Sequence, residues 1–216
     1  METLHLPELV LRGRDVLLRP LSHDDVPALA AASGESRAHY QYNPVPDGVQ
    51  GAAAYVEHAL VSKANGLRYP FAISYRGRIV GTTSYSDYQP WKWQVPSEHQ
   101  RADRPNAVEV GYTWLAASAQ RTGCNTEAKF LLFQHAFEVW QVHCVCLRTD
   151  VRNLRSRRAI ERVGATFEGV RRAHSPGADG TVRSSAFFSI IAEEWPSVRE
   201  RLRGLMGEAR SSAETG

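Results

Sequence analysis

Two short stretches hold the residues whose types and spacing could do chemistry: QRTGCNTEAK at 120–129 and EVGYTWL at 109–115. In the first, Gly123 sits where a strand-like segment gives way to a helical one. A chain that runs from a strand through a glycine loop into a helix gathers free backbone N–H groups at one point. With the helix dipole they form an anion site, where favourable charge placement is worth up to ~2 kcal/mol. Gly123 lets that backbone approach a phosphate with no Cβ in the way. The loop has neither the GK[ST] of a Walker nucleotide loop nor the G-x-G-x-x-G of a dinucleotide site. A lone glycine at such a junction also fits a plain structural turn. In the second stretch, strand parity puts Glu109, Gly111 and Thr113 on one face and Val110, Tyr112 and Trp114 on the other.

The elements that must position these residues follow from the pattern. DVLLRPL (15–21) reads as a strand, and SHDDVPALAAAS as a helix with Ser22 as N-cap and Asp24 and Asp25 in its first turn. GAAAYVEHALVSKAN (51–65) has helical spacing. YPFAISY and IVGTTSYSDY, joined by Arg76-Gly77-Arg78, read as a hairpin. Residues 89–107 hold three prolines and no periodicity, so they form a long excursion of the functional or mobile kind. AVEVGYTWLAAS is a strand, and a helix is expected from about Thr126 to Trp140. Its face is Ala128, Leu131, Leu132, His135, Ala136 and Val139, with a second stripe of Phe130, Phe133 and Phe137. VHCVCLRT is an internal strand, and Asn153 to Val163 a short helix stopped by Gly164. ATFEGV and VRSSAFFSII are the last strands, with HSPGADG as the turn between them. EEWPSVRERLRGL closes the chain as a helix, and 206–216 reads as a frayed tail. The class is α/β, with a mixed sheet and helices on its faces.

With 216 residues, 43% of them apolar, the chain is long enough for one domain with a sizeable core. A formal charge of +3, from 26 Lys and Arg against 23 Asp and Glu, does not call for a nucleic-acid partner. No secretory signal is visible, and no apolar run approaches the ~18 residues of a membrane helix. Cys124, Cys144 and Cys146 suit a reducing cytoplasm, and core packing for the last two, since further metal ligands are missing nearby. Eight Arg lie between Arg148 and Arg172. They read as a solvated helix face, with one or two phosphate contacts as the alternative.

Together, E-V-G-Y-T-W-L, Q-R-T-G-C-N, the helix and strand that follow, and N-L-R-S-R-R-A-I-E-R-V-G-A-T-F-E-G resemble the GNAT family of acyl-CoA-dependent N-acyltransferases. Within it, the likeness is to the RimJ/RimL type, which acetylates protein N-termini. The resemblance implies a central, mostly antiparallel mixed sheet of about seven strands flanked by helices, spanning about residues 10–205. It implies acetyl-CoA as cosubstrate, no metal, and direct transfer to an amine. The acceptor would be a protein N-terminus, such as that of a ribosomal protein, and the protein a cytoplasmic monomer or homodimer. The alternatives are a small-amine acetyltransferase and a coenzyme-A-binding protein without turnover.

Carried onto this sequence, the family pattern Q/R-x-x-G-x-G/A is met by Gln120 and Gly123, while Asn125 stands where Gly or Ala is usual. That side chain would either crowd the pyrophosphate or cap the helix. By this likeness Arg121, Thr122, Gly123, Cys124, Asn125 and Thr126 bind the pyrophosphate. Trp114 and Leu115 line the pantetheine arm, and Asn153 and Arg158 also touch the coenzyme, Asn153 doubling as a helix N-cap. Glu109 is the general base or a structural carboxylate, Ser156 the donor to the departing thiolate, and His174 a further catalytic candidate or a surface histidine. Tyr40, Tyr42, Tyr85, Tyr88, Trp91 and Trp93 are the aromatic candidates for an acceptor pocket.

Overall fold

A computed structural model of the chain describes residues 8–99 and 104–207. The tail expected at 206–216 lies outside these from residue 208 onward. Eight strands make one sheet: β1 (Leu11–Arg12), β2 (Val16–Pro20), β3 (Arg68–Tyr75), β4 (Arg78–Gln89), β5 (Ala107–Leu115), β6 (Cys144–Asp150), β7 (Thr166–Pro176) and β8 (Val182–Ile191). Their order is β1-β2-β3-β4-β5-β6-β8-β7, antiparallel except where β5 meets β6. The strand beyond the expected seven is β1, two residues paired to Leu17 and Leu18, too short to leave a periodic signal. The hairpin between β3 and β4 turns through Arg76 (φ 50) and Gly77 (φ 81), the left-handed pair a two-residue turn requires.

Among the described residues five α-helices cover the sheet: α1 (Val26–Gly34), α2 (Gly48–Ala64), α3 (Cys124–Gln134), α4 (Leu154–Arg162) and α5 (Trp195–Leu205). Along β4, Thr82 bonds Tyr55 of α2 and Tyr85 bonds Leu132 of α3. Positions three apart on a strand face opposite ways, so α2 and α3 lie on opposite sides of the sheet. Fully buried Phe71, Tyr85, Leu132, Phe133, Phe188 and Ile190 make the centre of the core.

Helix α3 departs from expectation at its end. The α-register stops at Gln134, and His135–Val139 continues as a π-turn. The wider turn carries Val139 off the apolar face, leaving it 56% exposed, while the Trp140 ring packs on Tyr85 and His135. β7 is longer than expected and absorbs His174 into the strand rather than the turn.

Two irregularities open the middle of the sheet. β5 and β6 pair only from Ala107↔Cys144 to Glu109↔Cys146, and beyond that point β5 has β4 on one side and no strand on the other. The β4–β5 register shifts between Thr82 and Ser84, where Tyr112 takes φ 53. This bulge bends β5 within the stretch that β6 no longer accompanies. It also overrides simple parity. Glu109 stays opposite Ser86, but Thr113 swings to meet Thr83 on the other face. Tyr112 is 45% exposed, its ring lying 3.9 Å over the buried Arg68 guanidinium, whereas Trp114 is buried between Tyr40 and Tyr55.

Candidate active site

The parted strands enclose a cleft of about 900 Å³, floored by β5 and walled by the 120–125 loop, α4 and the β7–β8 hairpin. At one end the chain builds an anion cradle. Arg121 (φ 59) reverses the backbone, and the N–H groups of Arg121, Thr122 and Gly123 bond to no described residue. The cap position of α3 belongs to Gly123, and the Thr122 hydroxyl accepts the Cys124 N–H at 3.1 Å. Asn125 is therefore inside the first turn rather than capping it, and lines the cleft. Cys124 and Thr126 point inward. Burial pushes the Cys124 thiol up to about 12, and Thr126 accepts from Arg162 at 2.7 Å.

The loop is braced against its neighbours. Gln120 donates to the Leu115 carbonyl at 2.8 Å and accepts from Arg155 at 2.6 Å. The Tyr40 hydroxyl also donates to Leu115 O, so that carbonyl is occupied, while β5 beyond Glu109 has no strand paired on its β6 side among the described residues. Asn153 caps α4, accepting the Ser156 N–H at 3.0 Å, and places Ser156 and Arg158 on the cleft wall.

The other end is built from buried charge. Glu109 is 4% exposed, with Arg148 Nε 2.9 Å from its Oε2. Burial nevertheless dominates the attraction of Arg148 and lifts this carboxyl to about 7. The carboxylate lies over Gly111, where a Cβ would stand 2.7 Å from Oε1, so only glycine leaves room for it. Lys129, 6% exposed on α3, donates to Thr113 Oγ1 at 2.7 Å, and burial lowers its ammonium to about 7. His174 pairs through Nδ1 with Ser185 Oγ at 2.9 Å, its pKa held below the ordinary value by burial and then by Arg148, Arg171 and Arg183. A histidine so placed is neutral at pH 7.

Of the expected pocket aromatics, Tyr40 lines the cleft. Tyr85, Trp91 and Trp93 do not. Tyr85 is wholly buried in the core. Trp91 stacks on His143 at 5.3 Å, and Trp93 packs on His99, at the far end of β6. Tyr42 sits under the Arg152 guanidinium at 4.8 Å, and Tyr88 packs on Trp140. Aromatic loop residues alone carry no direction, which is why the sequence could not separate them. Lys129, Arg148 and Arg183 were missed as site residues. A lysine on the apolar face of an amphipathic helix is the signal that could have found the first.

Among the described residues no cluster of three His, Cys, Asp or Glu could hold a metal, and no helix is long and apolar enough to cross a membrane. The profile of the acetyltransferase (GNAT) domain matches residues 15–166. A T. thermophilus protein assigned as an acetyltransferase is 31% identical, with a TM-score of 0.76 over 94% of this chain and 98% of that one. The GCN5-related N-acetyltransferase from Brucella melitensis is 24% identical, with a TM-score of 0.77 over 97% and 90%. Mycobacterium smegmatis RimJ, solved with CoA-disulfide, is 23% identical, with a TM-score of 0.71 over 92% and 94%. No functionally curated protein matches the sequence. Cleft, sheet and profile agree: the chain belongs to the GNAT family and is an N-acetyltransferase that uses acetyl-CoA.

Proposed function

We propose that the enzyme transfers the acetyl group directly to the α-amine of a protein N-terminus in the cytoplasm, with a ribosomal protein as a candidate acceptor. The observation that carries this reading is Glu109, a buried carboxyl at the end of the open β5 edge, lifted to about 7. An α-amine titrates near 7.7–8.0 and a lysine side chain near 10.4, so a base of this strength suits the former. The likeness to RimJ supports the same acceptor class.

The residues divide the work along the cleft. Acetyl-CoA supplies an activated acyl group. The free N–H groups of Arg121, Thr122 and Gly123, with the Arg121 and Arg158 side chains on the cleft wall, suit its phosphates. The unpaired edge of β5 suits an extended, amide-bearing arm laid alongside it as a neighbouring strand would be. Glu109 takes the proton the amine sheds as its nitrogen bonds to the acyl carbon. Ser156, on the first turn of α4, gives a proton to the sulfur as the C–S bond breaks. Cys124 takes no part as a nucleophile, since its buried thiol stays protonated at neutral pH.

The test is thiol release from acetyl-CoA with peptides beginning Ala, Ser, Thr or Asp, set beside a panel of polyamines, aminoglycosides, amino acids and amino-acid amides, with the product located by mass spectrometry. Peptide-dependent release with acetyl on the α-nitrogen is the expected result. Release with small amines only would overturn the acceptor, and release with none would overturn the reaction.

A further inference from the structure

One cation lining the cleft beside Glu109 has no carboxylate in ion-pair contact among the described residues. Arg183, near the start of β8, lines the cleft and is half-buried. Its Nε donates to Ser185 Oγ at 2.9 Å, on the same hydroxyl that His174 holds. Its two terminal nitrogens bond to no described residue, and no described carboxylate lies within ion-pair distance. The carboxylates nearby are engaged elsewhere. Glu109 is held by Arg148 at 2.9 Å. Asp150 accepts from Arg152 Nε and Nη2 at 3.0 and 2.7 Å, and Asp179 pairs with Arg152 at 2.8 Å.

Arg148 is fixed through its Nε and lines the same cleft as Arg183. Withdrawing a guanidinium from water without a partner is unfavourable, and burial already pulls the Arg183 pKa down against the opposing pull of Asp150. The acetyl donor's phosphates belong to the opposite end, at the 121–123 loop.

We propose that Arg183, with Arg148 beside it, binds a carboxylate carried by the acceptor within a few bonds of the reacting amine. The inference rests on the direct-transfer step proposed above: an acidic first residue of a polypeptide would narrow the acceptor, and a free amino acid would replace it. A planar carboxylate matches the fork of Arg183, whose two terminal nitrogens are open. The carboxylate has two sources: the side chain of an acidic first residue of a polypeptide, or the α-carboxylate of a free amino acid.

The test compares matched acceptors. Peptides differing only in Asp or Asn at position 1 probe the first source, and glycine against glycinamide probes the second. At least one pair should show a tenfold or larger kcat/KM preference for the carboxylate, because a site built for a polar group rejects the analogue that lacks it. Arg183→Gln should bring that preference close to one, and Arg183→Lys should restore part of it. Coenzyme A affinity, read at the far end of the cleft, reports that each variant is folded. Equal rates within both pairs, or a preference that survives Arg183→Gln, would overturn the proposal.

A second arm needs no turnover. Calorimetry of the coenzyme-A-loaded protein with the acetyl-Asp peptide and its acetyl-Asn counterpart should show at least tenfold tighter binding of the first, lost in Arg183→Gln. Equal binding by wild type, with glycine and glycinamide also alike, would sink the inference. This arm separates its failure from failure of the transfer reading, which shows itself as absence of thiol release with every amine.

Discussion

The two ends of the cleft hold charge in opposite ways. At the end proposed for the phosphates, Arg121, Arg155 and Arg158 are exposed, and the open donors are backbone N–H groups. At the end proposed for the reaction, Glu109 and Lys129 are almost wholly buried, and Arg148 and Arg183 are half-buried. Exposed cations gain modestly from each contact and are screened by salt, so that end suits reversible binding of a highly charged donor. Buried groups have their proton affinities moved toward neutrality, which suits proton transfer. The bulge at Tyr112 lies between the two regimes, just beyond Glu109, the last β5 residue paired with β6.

The largest effect should come from the buried end. Glu109→Gln is expected to lower kcat/KM by at least about 100-fold, the usual scale of a general base. The sign of the pH dependence follows from the raised carboxyl: the base form appears as pH rises through about 7, so wild-type kcat/KM carries a limb there beneath the one near 7.7–8.0 that an α-amine gives to both enzymes, and the variant keeps only the amine's. A limb near 7 that persists in the variant belongs to a group other than Glu109.

Next in size is Gly111→Ala. The added Cβ would meet Glu109 Oε1 at 2.7 Å and push the carboxylate out of line, so kcat should fall by roughly tenfold while coenzyme A affinity holds. If affinity fell and kcat held, Gly111 would matter for the donor and not the base.

At the open end, Arg158→Gln should weaken coenzyme A several-fold and flatten the salt dependence of binding, on the scale of about 1 kcal/mol expected of an exposed charge pair. Titrations at low and high salt read both.

Lys129 gives a stability prediction. Its folded pKa is depressed to about 7, so it contributes stability above its ordinary range and loses it as pH falls toward 7. Glu109, raised to about 7, adds stability at low pH and loses it as pH climbs from its ordinary range to 7. The pair titrates together and leaves a shallow stability minimum near neutrality. Lys129→Met should raise Tm at pH 7 relative to pH 10 by a few degrees, roughly 2–4 °C per kcal/mol for a chain of this size. A Tm difference equal to wild type's would mean that the lysine stays charged.

The 120–125 loop was legible in the sequence because it depends on local order: a strand, a glycine loop and a helix in succession. The hairpin at Arg76-Gly77 and the cap at Asn153 were legible for the same reason. The reaction end was not. Glu109 could be named from its strand, but its partner Arg148 comes from β6 and Lys129 from α3, and only tertiary packing brings them together. Parity failed beyond Gly111 because a bulge inserts one residue with no sequence mark, and the π-turn after Gln134 broke helical spacing in the same silent way. Trp91 and Trp93 were placed in the pocket on aromatic character alone, whereas stacking on His143 and His99 holds them at the other end of β6.

The division between the two ends is tested most directly by measuring coenzyme A Kd and kcat for Glu109→Gln and Arg158→Gln side by side. The account predicts a crossed result, with kcat lost and Kd kept in the first, and Kd raised and kcat kept in the second. A Glu109→Gln variant that binds coenzyme A more weakly yet turns over at the wild-type rate would contradict it.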